Sequence, residues 1–110
     1  MTCDRWEAVA VPFPFRERVG SGRRPAIVVS ARPFNGSGHY VMCMIITRSE
    51  PAWPTVHSIT DLSAASLPAP SIVRMKLCTL DAGLIEKRLG RFAEVDRCAV
   101  RIHMHEVLSE

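Results

Sequence analysis

The 110-residue chain has little lysine, few aromatic residues and no long apolar run. Only Lys76 and Lys87 are lysine among its 14 basic residues. The positive charge is therefore carried almost entirely by arginine, whose planar and permanently charged guanidinium suits bidentate contact with phosphate. No stretch approaches the ~20 apolar residues of a membrane span, and the charges at Asp4, Arg5 and Glu7 are unlike a secretory signal. We expect a cytoplasmic protein without a membrane partner.

The sequence also lacks the cysteine and histidine patterns of redox and metal sites. The chain has four cysteines, none in a Cys-x-x-Cys pair: Cys3, Cys43, Cys78 and Cys98. This excludes a zinc knuckle and a thioredoxin-type redox motif. Cys43 and Cys98 lie in apolar patterns, so we expect them in the core. His103 and His105 are two apart on a predicted helix and point in different directions, so we expect no metal site and no cofactor.

The remaining composition is that of one folded domain over residues 1–110. Hydrophobic residues make up 47% of the chain and charged residues 23%, which is enough for a core and too little charge for disorder. The net charge of +3 does not by itself require a polyanionic partner. The arginine bias has two interpretations, phosphate binding or the base composition of the encoding genome.

Apolar periodicity predicts a series of short strands followed by one helix. The predicted strands cover residues 6–11, 26–30, 39–47, 56–62 and 71–80, with a less regular candidate at 84–92. A basic, glycine-containing loop at 15–24 and a turn-rich segment at 33–38 separate them. From Glu94 the spacing becomes helical and predicts a helix over 94–108, with Asp96 near its start suiting the helix dipole. This order predicts a small, mostly antiparallel barrel.

Several segments, in chain order, resemble the MazF/PemK-like toxins of type II toxin-antitoxin systems. They are VAVPFPF at 9–15, GRRPAIVVS at 22–30, MIITRS at 44–49, PSIVRMKLCTLD at 70–81 and LIEKRLGRF at 84–92. The resemblance implies a mainly β fold, a small SH3-like barrel of the CcdB/PemK type with a C-terminal α-helix. It also implies a homodimeric, metal-independent endoribonuclease that cleaves single-stranded RNA at specific sequences to a 2′,3′-cyclic phosphate and a 5′-hydroxyl. A cognate antitoxin with an acidic, disordered tail is the implied inhibitor.

The resemblance also assigns roles to individual residues. Arg24 matches the catalytic arginine of the family, and Pro25 restricts it to extended backbone conformations. A guanidinium fixed there would stabilise charge on the phosphoryl oxygens. Thr47 matches a threonine whose hydroxyl can bond the phosphate or the attacking 2′-hydroxyl, although an ordinary strand-end threonine also fits. The expected RNA-binding residues are Arg16, Arg18, Arg23, Arg48, Arg74 and Lys76, with Trp53 as an aromatic candidate.

One departure from the family pattern leaves the general base open. Lys76 stands where some PemK-like members carry an acidic base, and a lysine cannot act as a carboxylate. Glu17 in the first loop is then the nominated base, unless another group serves or the base is absent. Two other functions stay open: a CcdB-like toxin that acts on DNA gyrase without cleaving RNA, and a weakly active homologue that binds RNA and antitoxin. Residue types do not specify the RNA sequence that is recognised.

Overall fold

A computed structural model describes residues 3–12, 23–47 and 55–109 of the protein. The strands are β1 (Glu7–Pro12), β2 (Arg23–Val28), β3 (His39–Thr47), β4 (Val56–Ser58), β5 (Ser71–Asp81) and β6 (Lys87–Arg91), and the helices are α1 (Arg32–Asn35) and α2 (Glu94–Leu108). A 3₁₀ turn at Ala82–Leu84 joins β5 to β6. None of the helices in these residues is long and apolar enough to cross a membrane.

The six described strands form one antiparallel sheet in the order β4-β5-β3-β2-β1-β6. The predicted mainly β fold with a C-terminal helix is confirmed, but the sheet does not close into a barrel within the described residues. The chain after β4 explains the difference, since it bends away and meets the end of β6 through one backbone hydrogen bond. There the amide of Arg91 donates to the carbonyl of Ala64 over 3.0 Å. The two edge strands are therefore not paired with one another.

Each face of the sheet carries an apolar cluster, because inward side chains alternate along the strands. On the helix face, Ile27, Cys43 and Val73 pack with Val100 of α2. The opposite face carries a second cluster, which comprises Cys3, Val9, Val11, Ala26, Val28, Tyr40, Met42, Met44 and Leu80. A charged side chain on either face is therefore an exception to an otherwise apolar surface.

The structure confirms the predicted bounds of the C-terminal helix and corrects those of the fourth strand. The helix predicted over 94–108 is confirmed, with α2 running from Glu94 to Leu108. The strand predicted over 56–62 is shorter, since β4 ends at Ser58. The amides of Thr60 and Asp61 donate to the Asp96 side chain, so they do not continue the strand. The turn-rich segment at 33–38 contains part of the short helix α1, whose first turn includes a proline.

The buried side of α2 does not include Cys98, which we expected in the core. Asp96 and Val100, one turn apart, are fully buried, and Met104 continues this row against the core. Cys98 and Ile102 lie on the other side of the helix and are exposed, so the expectation that Cys98 belongs to the core is wrong. The burial of Cys43 in the central strand β3 is confirmed.

Candidate functional site

Arg24 lies at the beginning of β2, where it pairs with Val11 of β1. Ala26 and Val28 follow it at alternate positions and belong to the cluster on the opposite face. Arg24 therefore lies on that same face, and it is half-buried. The strand imposes the extended backbone that Pro25 predicts.

Two more cations lie on the opposite face in β5. The β3–β5 register changes from Cys43 paired with Leu77 to Ile45 paired with Val73, so that three residues of β5 lie opposite one residue of β3. The outer two of these three are Arg74 and Lys76, both half-buried. Met75 between them is buried in the helix-face cluster, which places the two cations on the opposite face. The local irregularity thus groups two positive charges within one bulge.

Arg24, Arg74 and Lys76 together form what we call the cationic patch. Met44 lies opposite the bulge and pairs with Ala26, two residues from Arg24. Only β3 separates β2 from β5, so the two parts of the patch are roughly 10 Å apart across the sheet. Three cations over such a span can contact consecutive parts of a polyanionic chain.

Thr47 ends β3 at the same end of the sheet. Its backbone pairs with Ser71, the first residue of β5 and three residues before Arg74. The chain also leaves β1 at Pro12 and re-enters the sheet at Arg23 at this end. The other sequence-predicted site residues lie outside the described residues: Arg16, Glu17, Arg18, Arg48 and Trp53.

Arg23 differs from its neighbour Arg24. Its side chain is exposed, and its Nε lies 3.2 Å from a carboxylate oxygen of Glu86. Glu86 in turn follows the 3₁₀ turn before β6, and its amide donates to the carbonyl of Ala10. Part of the Arg23 charge is therefore balanced within the protein, whereas sequence reasoning counted it wholly toward RNA binding.

The thiols near the cationic patch are poor nucleophiles. Burial raises the pKa of the Cys43 thiol to about 12, and the neighbouring Cys78 adds to this shift. Burial also raises the pKa of Cys78, an effect that the nearby charge of Lys76 opposes. Both thiols are therefore protonated at neutral pH, whereas the reactive form of cysteine is the thiolate. Neither residue is a candidate nucleophile.

A buried carboxylate escaped sequence reasoning. One oxygen of Asp96 lies 2.7 Å from Nε2 of His57 and accepts the amide of Thr60, while the other accepts the amide of Asp61. Burial alone would raise the pKa of Asp96, but these hydrogen bonds and the His57 contact lower it overall. In the sequence, the only sign of this role is that Asp96 lies one helical turn before the apolar Val100. A favourable interaction with the helix dipole already explained an acidic residue at that position, so the sequence did not predict its burial.

Comparison with known proteins agrees with this architecture. Residues 4–108 match the family model of PemK-like, MazF-like toxins of type II toxin-antitoxin systems. The fold is similar to MazF (Form-I) of Deinococcus radiodurans, with a TM-score of 0.77, 19% identity, and coverage of 100% of this chain and 99% of that chain.

Two complexes show the same fold. A MazE-MazF (Form-II) structure from Deinococcus radiodurans matches with a TM-score of 0.76 and 20% identity, over 99% of this chain and 97% of that chain. An endoribonuclease in complex with its cognate antitoxin, from a mycobacterial species, matches with a TM-score of 0.74 and 17% identity, over 97% of this chain and 93% of that chain. No curated protein sequence gives a significant match. On the family match, which spans nearly the whole chain, the protein belongs to the PemK-like, MazF-like toxins of type II toxin-antitoxin systems.

Proposed function

We propose that this toxin is an endoribonuclease that cleaves single-stranded RNA at specific sequences without a metal ion. The observation that carries the proposal is the cationic patch, in which Arg24 shares one face of the sheet with Arg74 and Lys76. Family membership supports it, as does the likeness in fold to an endoribonuclease bound to its antitoxin. We further propose that residues 1–110 act as one domain in the cytoplasm.

The proposed reaction is a transesterification within the RNA. The 2′-oxygen loses its proton and attacks the adjacent phosphorus, while the bond from phosphorus to the 5′-oxygen breaks and that oxygen takes up a proton. The products are a 2′,3′-cyclic phosphate and a 5′-hydroxyl. Arg24, held in β2, would donate hydrogen bonds to the phosphoryl oxygens as their negative charge increases. Because the strand fixes its backbone, little reorganisation accompanies the reaction.

The remaining groups divide between binding and proton transfer. Arg74 and Lys76 would contact phosphates that flank the scissile one, together with Arg16, Arg18, Arg23 and Arg48 and with Trp53 as a stacking group. Thr47 would bond the phosphate or the 2′-hydroxyl. Lys76 cannot accept the proton as a carboxylate, so we propose Glu17 as the general base.

Inhibition follows from the same charges. We propose that the toxin forms a homodimer and that a cognate antitoxin binds the cationic patch through an acidic, disordered tail. Carboxylates of the tail and phosphates of RNA would then compete for Arg24, Arg74 and Lys76. Binding alone would therefore suffice to inhibit cleavage.

Cleavage by the purified toxin tests the proposal. A long single-stranded RNA incubated with excess EDTA should be cut to fragments with cyclic-phosphate ends. Arg24→Ala should lower the single-turnover rate by about 10² to 10³, as expected when a fixed donor to the transition state is removed. Arg91→Ala is the matched control, since Arg91 is an exposed strand arginine on the far edge strand β6. Its rate should equal that of the unmodified protein.

Other outcomes identify the competing functions. Equal rates for Arg24→Ala and the unmodified protein would exclude Arg24 as the catalytic arginine. Intact RNA together with inhibition of gyrase would replace the proposal by a CcdB-like activity. Tight RNA binding without cleavage, over a varied panel of RNAs, would identify a degenerate homologue, for which Lys76 in place of an acidic residue supplies the reason.

A further inference from the structure

A second group of cations lies on the helix face, away from the cationic patch. An open cavity of about 270 Å³ is lined by Arg5, Arg101, Met104, His105, Leu108 and Ser109. Arg5 precedes β1, and the other five residues belong to the C-terminal half of α2 or follow it directly. The lining of the cavity therefore combines three nitrogen-bearing side chains with the apolar Met104 and Leu108.

The two arginines are held against one aromatic ring. The guanidinium carbon of Arg5 lies 4.8 Å from the ring centroid of Trp6, and that of Arg101 lies 5.4 Å from it. Trp6 is itself firmly placed, with 5% of its surface exposed. Its amide donates to Val28, and its carbonyl accepts the amide of Phe92. The ring thus fixes two like charges beside each other.

The described carboxylates near Arg5 and Arg101 pair with other groups. Asp4, next to Arg5 in sequence, binds Arg32 at 2.6 Å, and Glu7 faces β6, where its carboxylate lies 3.4 Å from Arg88. On α2, Glu106 contacts His103. Within residues 3–12, 23–47 and 55–109, Arg5 and Arg101 form no ion pair.

One buried nitrogen of Arg5, which lines the cavity, is also left without an acceptor. The Nε of Arg5 is buried and has no hydrogen-bond partner among the described residues. Burial lowers the pKa of Arg5, and the charge of Arg101 lowers it further. A buried donor without an acceptor and two adjacent like charges are both unfavourable in the unliganded protein. An anion in the cavity would reduce the repulsion between the two charges.

From this geometry we infer that the cavity binds a phosphate monoester, the phosphate lying between Arg5 and Arg101. A dianion balances two guanidiniums, whereas a single carboxylate balances only one. Each guanidinium can offer a planar pair of N–H groups to two phosphate oxygens. The ring of His105 adds a further donor, and Met104 and Leu108 accommodate the carbon-bearing part of the ester.

Titration with inorganic phosphate tests the inference. In isotope-labelled toxin, phosphate should shift the Nε–H resonance of Arg5 and the indole N–H resonance of Trp6 in a saturable way, at constant ionic strength. A Trp53→Phe variant assigns the indole signal, because Trp6 is then the remaining tryptophan. Arg101→Gln should weaken phosphate binding by about tenfold or more, since one charge-assisted pair is lost. Arg24→Ala, in the cationic patch, should leave this titration unchanged.

Several results would overturn the site. Absence of a saturable shift, or equal affinity in Arg101→Gln, would show that the cavity does not bind phosphate through its arginines. Equally strong binding of acetate would assign the site to carboxylates instead. Arg101 is exposed, so its variant should fold, which thermal unfolding verifies. Arg101→Lys keeps the charge without the planar pair of donors, so its phosphate affinity should lie between those of Arg101→Gln and the unmodified toxin.

Discussion

Asp96 shows how one residue can acquire a role that its sequence position does not indicate. Its carboxylate is fully buried, yet it holds the ring of His57 and the amides of Thr60 and Asp61. Removing it would leave the part-buried amides of Thr60 and Asp61 without their acceptor, and an unsatisfied buried donor costs about 1–3 kcal/mol. The side chain thereby ties the end of β4 to the first turn of α2.

The lowered pKa of Asp96 predicts a loss of stability in acid. A carboxyl group whose pKa is lower in the folded than in the unfolded protein stabilises the fold fully above its unfolded value, about 3.9, and loses this contribution as the pH falls through the folded value. Asp96→Asn should therefore be less stable by about 1–3 kcal/mol at pH 7. Its deficit relative to the unmodified protein should shrink below about pH 4.

Urea unfolding from pH 7 to pH 3 measures this effect. Glu94→Gln is the control, since Glu94 is an exposed acidic residue in the same first turn of α2. It should keep the acid dependence of the unmodified protein. If Asp96→Asn kept that dependence as well, another carboxylate would be responsible for it.

At the scale of the element, β6 depends on one close approach. A Cβ atom added to Gly90 would lie 2.5 Å from the carbonyl oxygen of Ala64 and 2.8 Å from the carbonyl carbon of Ala65. Both are backbone atoms, which cannot rotate away. A glycine is thus required at position 90, where the segment after β4 crosses β6. This requirement explains why Gly90 interrupts the alternation of apolar residues that is typical of a strand.

Substitution of Gly90 tests this crossing. Gly90→Ala should lower the free energy of unfolding by about 1–3 kcal/mol, because overpacking shifts the backbone. Gly83→Ala is the matched control, since a Cβ at Gly83 meets nothing within 4 Å. The two midpoints in urea should differ clearly. Equal midpoints would mean that residues 64–65 move away without cost.

The sequence predicted elements with continuous periodicity and missed those fixed by distant contacts. The α2 helix was located correctly because its helical spacing continues through residues 94–108. The strand at 56–62 was predicted too long, since the amides that follow β4 bind Asp96, far along the chain. The exposure of Cys98 follows from which side of α2 meets the sheet, and apolar spacing alone does not determine this when both sides carry apolar residues.

The candidate site divides in the same way. Family-like segments pointed to Arg24, Arg74 and Lys76 as site residues. Their placement on a common face depends on the registers of β2 against β1 and of β5 against β3, which are pairings between segments distant in sequence. The Arg5–Arg101 cavity had no signal, because its members are 96 positions apart and meet only through Trp6.

For the whole molecule, the net charge of +3 conceals two separate positive regions. The cationic patch lies on the opposite face, and Arg5, Arg101 and His105 lie on the helix face. The apolar sheet separates them. A polyanion bound at one region therefore need not displace an anion bound at the other.

Salt dependence measures the contribution of the patch to RNA binding. Lys76→Ala should weaken binding of a short single-stranded RNA and reduce the magnitude of the slope of log affinity against log salt by about 0.7, the value for one lost phosphate contact. Arg18→Ala should behave similarly. Lys87→Ala removes an equal charge from β6 and should leave the slope unchanged. Fluorescence anisotropy at several salt concentrations gives the slopes, and an unchanged slope for Lys76→Ala would remove it from the interface.

The position of β1 has a consequence for synthesis. This first strand lies between β2 and β6, so one of its two hydrogen-bonded neighbours is made from residues 87–91. Val100 of α2 is needed later still to complete the helix-face cluster. During translation, β1 must therefore wait for residues 87–91 before its second edge is covered, and such distant pairing folds slowly. A ribosome would have to synthesise the chain through Val100 before the sheet and its helix-face cluster could be complete.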